Sequence, residues 1–329
     1  MRSLVKRIAL LIAFSASLTT WSAATLGQSY PNRPIKLIVP YPAGGSFDMI
    51  GRVVAQEMAK LLGQQVIVDN RAGAGARIGI EATSKAQPDG YTIGFGSLSP
   101  LSIAPSLYTK LPYDPIKSFE PISMVGSAPF LVVVNASVPA NSLRQLVDLE
   151  KSNPGKLNFA TVGAGTVLHF YGEHFNAVTG SKLVHIPFKG AAPALIALLS
   201  GDVQVMFDQL ASFQLPNIQS GKLRALAVTG PARLPQLPGV PTAAEAGFPG
   251  LEESVWFGLI APTGTPKEVV RLLNADVKKA LAAKEVVEIL VNNNGLVLGG
   301  GSPEEFAATI KNDIAKWANI VKSTGFKPE

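Results

Sequence analysis

Short β-type runs alternate with helical patterns through almost the whole of this 329-residue chain, and that alternation constrains the fold more than any single motif. PIKLIVP is followed by DMIGRVVAQEMAKLLG, in which Ile50, Val53, Val54, Met58, Leu61 and Leu62 keep helical spacing and Gly63 supplies a stop. QQVIVDN then reads as a strand, RIGIEATSKAQ as a helix, PDG as a turn and YTIGFGS as a strand. A second set begins after EPISMVGSAPFLVVVN, an apolar run long enough to carry the chain from one domain into another. LRQLVDLEKSNPG gives a helix and stop, KLNFATVG a strand, TVLHFYGEHFNAVTG a helix and KLVHIPFKG a strand. APALIALLSG, DVQVMFDQL, FQLPNIQSG and KLRALAVTG repeat the scheme of helix, stop and strand. ARLPQLPGVPTAAEAGFPG is rich in proline and glycine and reads as an ordered loop. ESVWFGLIAP returns to a strand, and helices over 266–283 and 303–322 finish the chain.

The pattern predicts an α/β fold in two domains, each with a largely parallel sheet flanked by helices. A terminal helix pair needs a sheet to cover, and the first unit has fewer helices than the second. The chain is therefore expected to cross into a second domain near residue 127 and return near 251, giving one domain from 28–127 plus 252–329 and another from 128–251.

The first 27 residues stand apart from the fold. MRSLVKR carries Arg2, Lys6 and Arg7, the apolar IALLIAFSASLTTW follows, and small residues offer cleavage after Ala24 or Gly27. This is the three-part pattern of a secretory signal, and its apolar run is short for a membrane span and diluted by Ser and Thr. Removing those three cations from 29 Lys and Arg leaves 26 against 23 acidic residues, a mature chain near +3. With no basic run and no second apolar span, neither nucleic acid nor the membrane interior is an implied partner. The chain has no cysteine, which excludes disulfides, a thiol nucleophile, cysteine metal sites and a lipid-anchored N-terminal cysteine. A soluble periplasmic protein is expected.

Two turns carry the functional signal. In PYPAGGSFD a strand ends and a helix begins, where helix N–H groups and the positive end of the dipole are open to a ligand. Gly44 and Gly45 permit close backbone approach, and Ser46 offers a hydroxyl to the helix end or to a guest. The same glycines also serve a plain tight turn. Asp48 would repel an anionic guest, so it is expected to bond its own helix terminus, hold water or meet an amine. ATVGAGTVLH repeats this grammar: Gly163 and Gly165 flank a possible anion nest, with Thr166 and His169 in the first helical turn. Two such turns in two domains would face each other across a cleft.

Other signals are weaker. DNRAGAGARIG spaces Gly73, Gly75 and Gly79 as GxGxxxG, which misses the dinucleotide fingerprint, and a secreted protein has no ready supply of nicotinamide cofactor. Ser97, Ser99, Lys189 and Asp208 follow or close strands and gain interest only from that shared position. No GxSxG elbow, HExxH or P-loop is present, and His169 and His174 are five residues apart, off the spacing of a helical metal pair. No catalytic residue, metal site or cofactor is expected.

Through IVPYPAGGSFD, DNRAGAGARIG, QPDGYTIGFGS, SFEPISMVG, KLNFATVGAGT, HIPFKGAAPALIALLSGDVQVMFDQ, SGKLRALAVTGPAR, LPGVPTAAEAGFPG and WFGLIAPTGTP, the chain resembles the periplasmic solute-binding proteins of tripartite tricarboxylate transporters, the Bug receptors. The resemblance runs from about Pro31 to the C-terminus. It implies a two-domain, type II periplasmic-binding-protein fold that closes on a small organic anion, usually a carboxylate. It also implies that both glycine turns grip that carboxylate, partly through water. Carried onto this sequence, the grip falls on Tyr41, Ala43, Gly44, Gly45, Ser46, Phe47 and Asp48, and on Thr161, Gly163, Ala164, Gly165 and Thr166. His169, Ser97 and Asp208 are lesser contributors. A bridging water that donates to both carboxylates would reconcile Asp48 with an anionic guest. Phe47 stands where a small hydroxyl residue is common, Ala72 where proline is common, and Ala76 and Arg77 where glycine and an uncharged polar residue are common. Phe47 is a candidate pocket wall.

The expectation is a non-catalytic, monomeric receptor for a small carboxylate, working with membrane transporter subunits in trans. An extracytoplasmic sensor that presents the guest to a signalling receptor is the first alternative, and genes beside this one would separate the two. A periplasmic hydrolase is the second, and turnover of an ester or amide would reveal it.

Overall fold

Each glycine turn sits beyond the middle strand of a three-stranded parallel group, and that placement follows from how strands and helices alternate. Residues 30–210 and 214–324 are described by the computed structural model; the segment read as a signal, 1–27, lies outside the described residues. β1 (Ile35–Val39) leads into α1 (Ser46–Leu62). Ile50, Val54 and Met58 recur every four residues on that helix and are fully buried, so one face packs onto the sheet. β2 (Val66–Asn70) returns parallel to β1, α2 (Arg77–Ser84) follows, and β3 (Thr92–Ser97) pairs with the opposite edge of β1. Short helical segments over 99–103 and 104–107 lead onward.

β4 (Phe119–Asn135) is a single strand of 17 residues formed by the long apolar run, and it serves two sets of neighbours. α3 (Leu143–Ser152), β5 (Asn158–Thr161), α4 (Val167–Thr179), β6 (Val184–Pro187), α5 (Ala191–Ser200) and β7 (Val205–Gln209) come next. β6 and β7 lie parallel to β5 on its two sides, repeating the arrangement around β1. β8 (Leu223–Val228) precedes the proline-rich loop, and β9 (Ser254–Pro262), α6 (Lys267–Leu281), β10 (Val297–Gly300) and α7 (Pro303–Thr324) complete the described chain.

From Phe119 to Pro129, β4 pairs with β9, and β10 pairs with its other edge around Met124 to Ser127. From Phe130 onward its partners are β7 and β8. The exchange falls at Pro129, whose missing N–H suits a place where one set of ladder bonds gives way to another. The sheet is mixed, and every antiparallel pair involves β4 or β9. Around β7 and β8 the core is built from Leu131, Val133, Leu198, Met206, Leu223 and Val228.

In both halves the chain leaves the central strand for one neighbour and later reaches the other, so β1 and β5 are topological switch points. The crevice beyond the carboxyl end of such a strand is where open α/β sheets receive ligands. Residues 40–45 and 162–166 occupy those two crevices.

Candidate functional site

The turn after β1 is held by its own polar side chains. The Asp48 carboxylate accepts from the Gly44 N–H at 2.9 Å, from Arg52 Nε at 2.9 Å and from Asn70 Nδ2 at 2.8 Å. Burial raises the Asp48 pKa, but bonds from Arg52, Gly44 and Asn70 outweigh it and hold the carboxyl below its ordinary value. Asn70 Nδ2 also donates to the Tyr41 carbonyl at 3.0 Å, which ties the end of β2 to the turn. Asp48 thus shapes the loop from behind and lines neither cavity described below. Of the readings open for it in the sequence, bonding at its own helix terminus is the one seen.

Tyr41 is fixed by a 2.7 Å hydrogen bond between its hydroxyl and Ser97 Oγ. Its ring stacks on Phe47 at 3.9 Å between centroids, and Phe47 meets Phe257 edge-on at 5.1 Å. Ser97 is therefore a support for Tyr41 and not a cavity residue. Ala43 and Gly44 also lie outside the cavity walls.

The second turn rests on two stacked imidazoles. Thr161 Oγ1 and His185 Nε2 are 2.7 Å apart, and the Gly165 N–H donates to His169 Nδ1 at 3.2 Å. The His169 and His185 rings stack with centroids 3.6 Å apart. Burial lowers His169 to about 4, and burial together with His169 lowers His185 to about 3. Both rings are neutral at pH 7, as a ring nitrogen must be to accept the Gly165 N–H. An unfolded His titrates near 6.5, so the folded state binds fewer protons below that pH, and stability is lost as pH falls from about 6.5 through about 4 and 3. The histidine pair is expected to pull the thermal midpoint down as pH falls from 7 to 4. His169→Asn and His185→Gln, which keep an acceptor near the same place without titrating, should each flatten that slope; an unchanged slope in both would show that the pair does not titrate in this window.

The two turns meet. The Ser99 hydroxyl, which leads the segment after β3, donates to the Gly165 carbonyl at 3.2 Å. A Cβ built on Gly75 would lie 2.7 Å from the same carbonyl oxygen, so that backbone approach requires glycine. A cavity of about 490 Å³ opens here between Tyr41 and Pro42, the 72–77 loop, Tyr108, and the turn 162–166. A tighter space of about 20 Å³ shares Tyr41, Pro42 and Val162 with it and is bounded by Gly45, Ser46, Phe47, Gly190 and Asp208.

The helix ends at that tight space are bare. Gly45 caps α1 and Gly190 caps α5, and neither helix has a side-chain cap, so first-turn N–H groups remain available for an anionic guest. Asp208, on β7, is fully buried beside them. Burial raises its carboxyl to about 7, opposed by the Gln209 N–H at 2.9 Å and Gln214 Nε2 at 3.2 Å.

Of the residues expected from the sequence, Tyr41, Gly45, Ser46, Phe47, Gly163, Ala164, Gly165, Thr166 and Asp208 line the two spaces. Thr161 and His169 stand beneath the second turn. Tyr108, Phe188, Gly190 and Arg77 also line them without having been expected to. Gly190 had a readable signal, since HIPFKGAAP is a third strand, glycine and helix start. A larger space of about 760 Å³ lies beside the β4 partner exchange. The one cation lining it among the described residues, Arg233, is tied to Glu245, and the space touches neither glycine turn. Among the described residues no group of three or more acidic or imidazole side chains could hold a metal ion.

Known proteins share this arrangement over nearly the full chain. The model of the tripartite tricarboxylate transporter family receptor matches residues 50–326. BugT of Bordetella pertussis (strain Tohama I) is 39% identical over 307 residues, spanning 93% of this chain and 94% of that protein. Rpa4515 of R. palustris, solved with adipate, superposes with a TM-score of 0.86 at 34% identity, covering 91% of this chain and 100% of that one. MatC of Rhodopseudomonas palustris, solved with malate, gives a TM-score of 0.83 at 34% identity over 89% of this chain and 100% of that one. The family model takes in the second glycine turn and most of the helix after the first, and the match to BugT extends over 93% of the chain: the chain belongs to the tripartite tricarboxylate transporter receptor family.

Proposed function

We propose that this chain is a periplasmic receptor that captures a small carboxylate-bearing solute between its two glycine turns and presents it to membrane transporter subunits. The observation that carries the reading is the meeting of the two turns over one cavity, beside two helix N-termini with no side-chain cap. A carboxylate entering there exchanges hydration for N–H dipoles and ordered water, which keeps the cost of burying its charge tolerable. The halves 28–127 plus 252–329 and 128–251 act as two lobes, and contacts such as Ser99 to Gly165 form only when they approach. Structures of family members with adipate and with malate support a carboxylate guest.

The receptor is monomeric and non-catalytic, uses no cofactor and binds no nucleic acid. Its delivery to the periplasm depends on the 1–27 signal, and among the described residues no helix is long and apolar enough to cross a membrane. The test is a thermal-shift screen of mono- and dicarboxylates, amino acids and aromatic acids on protein unfolded and refolded to remove carried-over guest. A guest at a hundred times its Kd stabilises by about 2.7 kcal/mol, which should move the midpoint by roughly 5 °C or more. If no anion moves the midpoint, or if an ester or amide panel is turned over, the receptor reading is wrong.

A further inference from the structure

Two cations face the cavity of about 490 Å³ between the glycine turns, one from the β2–α2 side and one from the β6–α5 side, and neither is ion-paired to a described Asp or Glu. Arg77 opens α2, directly after the loop from β2, and Lys189 comes from the loop between β6 and α5. Nearby cations are neutralised: Arg52 pairs with Asp48 at 2.9 Å and Arg71 with Asp69 at 3.0 Å. Among the described residues, the lining of the cavity includes no Asp or Glu.

Arg77 is also held in an unfavourable place. It is the first residue of α2, where the helix dipole disfavours a cation. The loop before it runs through four consecutive residues of positive φ, including two alanines, Ala74 at 48° and Ala76 at 75°. Its Nε donates to the Ala74 carbonyl at 2.8 Å, and its guanidinium lies 3.5 Å over the Tyr108 ring. These contacts fix the side chain at the cavity wall without cancelling its charge. Lys189 is exposed and reaches the same space from across the cleft.

We propose that Arg77 and Lys189 form a divided cationic subsite for a second anionic group, so that this receptor selects elongated dianionic guests over monocarboxylates of the same length. The inference rests on the receptor reading above, which places the first carboxylate at the glycine turns. Like charges on the two walls oppose closure of an empty cleft. A guest anion between them converts that repulsion into two charge-assisted contacts made only when the lobes have met. The charge pattern thus couples guest identity to closure.

Matched guests test this by titration calorimetry on refolded protein: α,ω-dicarboxylates from succinate to suberate, their monomethyl esters, and the corresponding straight-chain monoacids. The best diacid should bind about tenfold or more tightly than its own monomethyl ester, which differs chiefly by one charge. That ratio should narrow as salt rises. Lys189→Gln and Arg77→Gln should each reduce the ratio about tenfold. Lys189 is exposed and has no ion pair among the described residues, so its variant remains informative if loss of the Arg77 stack impairs folding. Equal binding of diacid and ester by the unaltered protein, or a ratio that survives Lys189→Gln, overturns the subsite and leaves the receptor reading standing. Failure of every diacid, ester and monoacid to bind overturns both.

Discussion

Replacing Gly75 with alanine is expected to weaken carboxylate binding roughly five- to hundredfold with little added loss of stability. The added methyl would sit 2.7 Å from the Gly165 carbonyl oxygen, which is backbone and has no rotamer through which to escape. Overpacking of that kind costs about 1–3 kcal/mol, and here it falls only on the arrangement in which the two loops meet. Separating them also strains the 3.2 Å bond from Ser99 to the same oxygen. Gly75 has φ +62°, so an alanine there carries a left-handed backbone cost of about 1 kcal/mol, but Ala76 beside it already tolerates φ +75°. Gly63→Ala is the control: it has φ +65° at the end of α1, and its added Cβ meets nothing within 4 Å. Equal losses of thermal midpoint in the two variants, with affinity falling only in Gly75→Ala, would locate the effect at the loop contact. Calorimetry showing unaltered affinity for Gly75→Ala would show that the bound state does not bring these loops together.

How far the sequence revealed this site depends on how local each determinant is. The turns after β1 and β5 were readable because an apolar run, glycines and a helical period sit side by side in the chain. Their meeting was a weaker deduction, since it depends on β2 and β3 flanking β1 just as β6 and β7 flank β5. Strand pairing of that kind is set by contacts distant in sequence. β10 went unassigned for the same reason: VLGG is glycine-rich and gains strand geometry only by pairing with Met124 to Ser127. Asp48 shows the division within one residue. Its partner Arg52 is one helical turn away and visible in the sequence, whereas Asn70 arrives from the end of the next strand. Tyr108 enters from beyond two short helical segments and leaves no local trace of its place over Arg77. Arg77 itself was visible only as a departure from the family pattern. The role proposed for it depends on the cavity, where no carboxylate among the described residues answers its charge.

Asp208→Asn should stabilise the empty receptor at pH 8 and make little difference at pH 4. The buried carboxyl titrates at about 7 in the folded chain, against an ordinary value near 3.8. Between those values the folded state binds the proton and the unfolded state does not, so stability declines as pH rises from about 4 to 7 and then levels off. About 1.4 kcal/mol per pKa unit sets a ceiling of roughly 4 kcal/mol on the gain above pH 7. Asparagine can retain the surrounding bonds. Its Oδ1 can accept the Gln209 N–H, and its Nδ2 can donate to Gln214 Oε1, which has no described partner, once that amide turns over. The two histidines act in the opposite sense over pH 4 to 6.5, so the informative quantity is the difference between the two proteins. That difference should be near zero at pH 4 and rise to its plateau by pH 8. An ionisable group held at this cost beside the bare helix ends fits the anion-binding role proposed for that space. An anionic guest placed there favours protonated Asp208, so binding should take up a proton near pH 7 and strengthen as pH falls through that range. In Asp208→Asn, calorimetry in buffers of different ionisation enthalpy should find that uptake abolished. Parallel stability curves from pH 4 to 8 would instead mean that Asp208 titrates as an ordinary carboxylate.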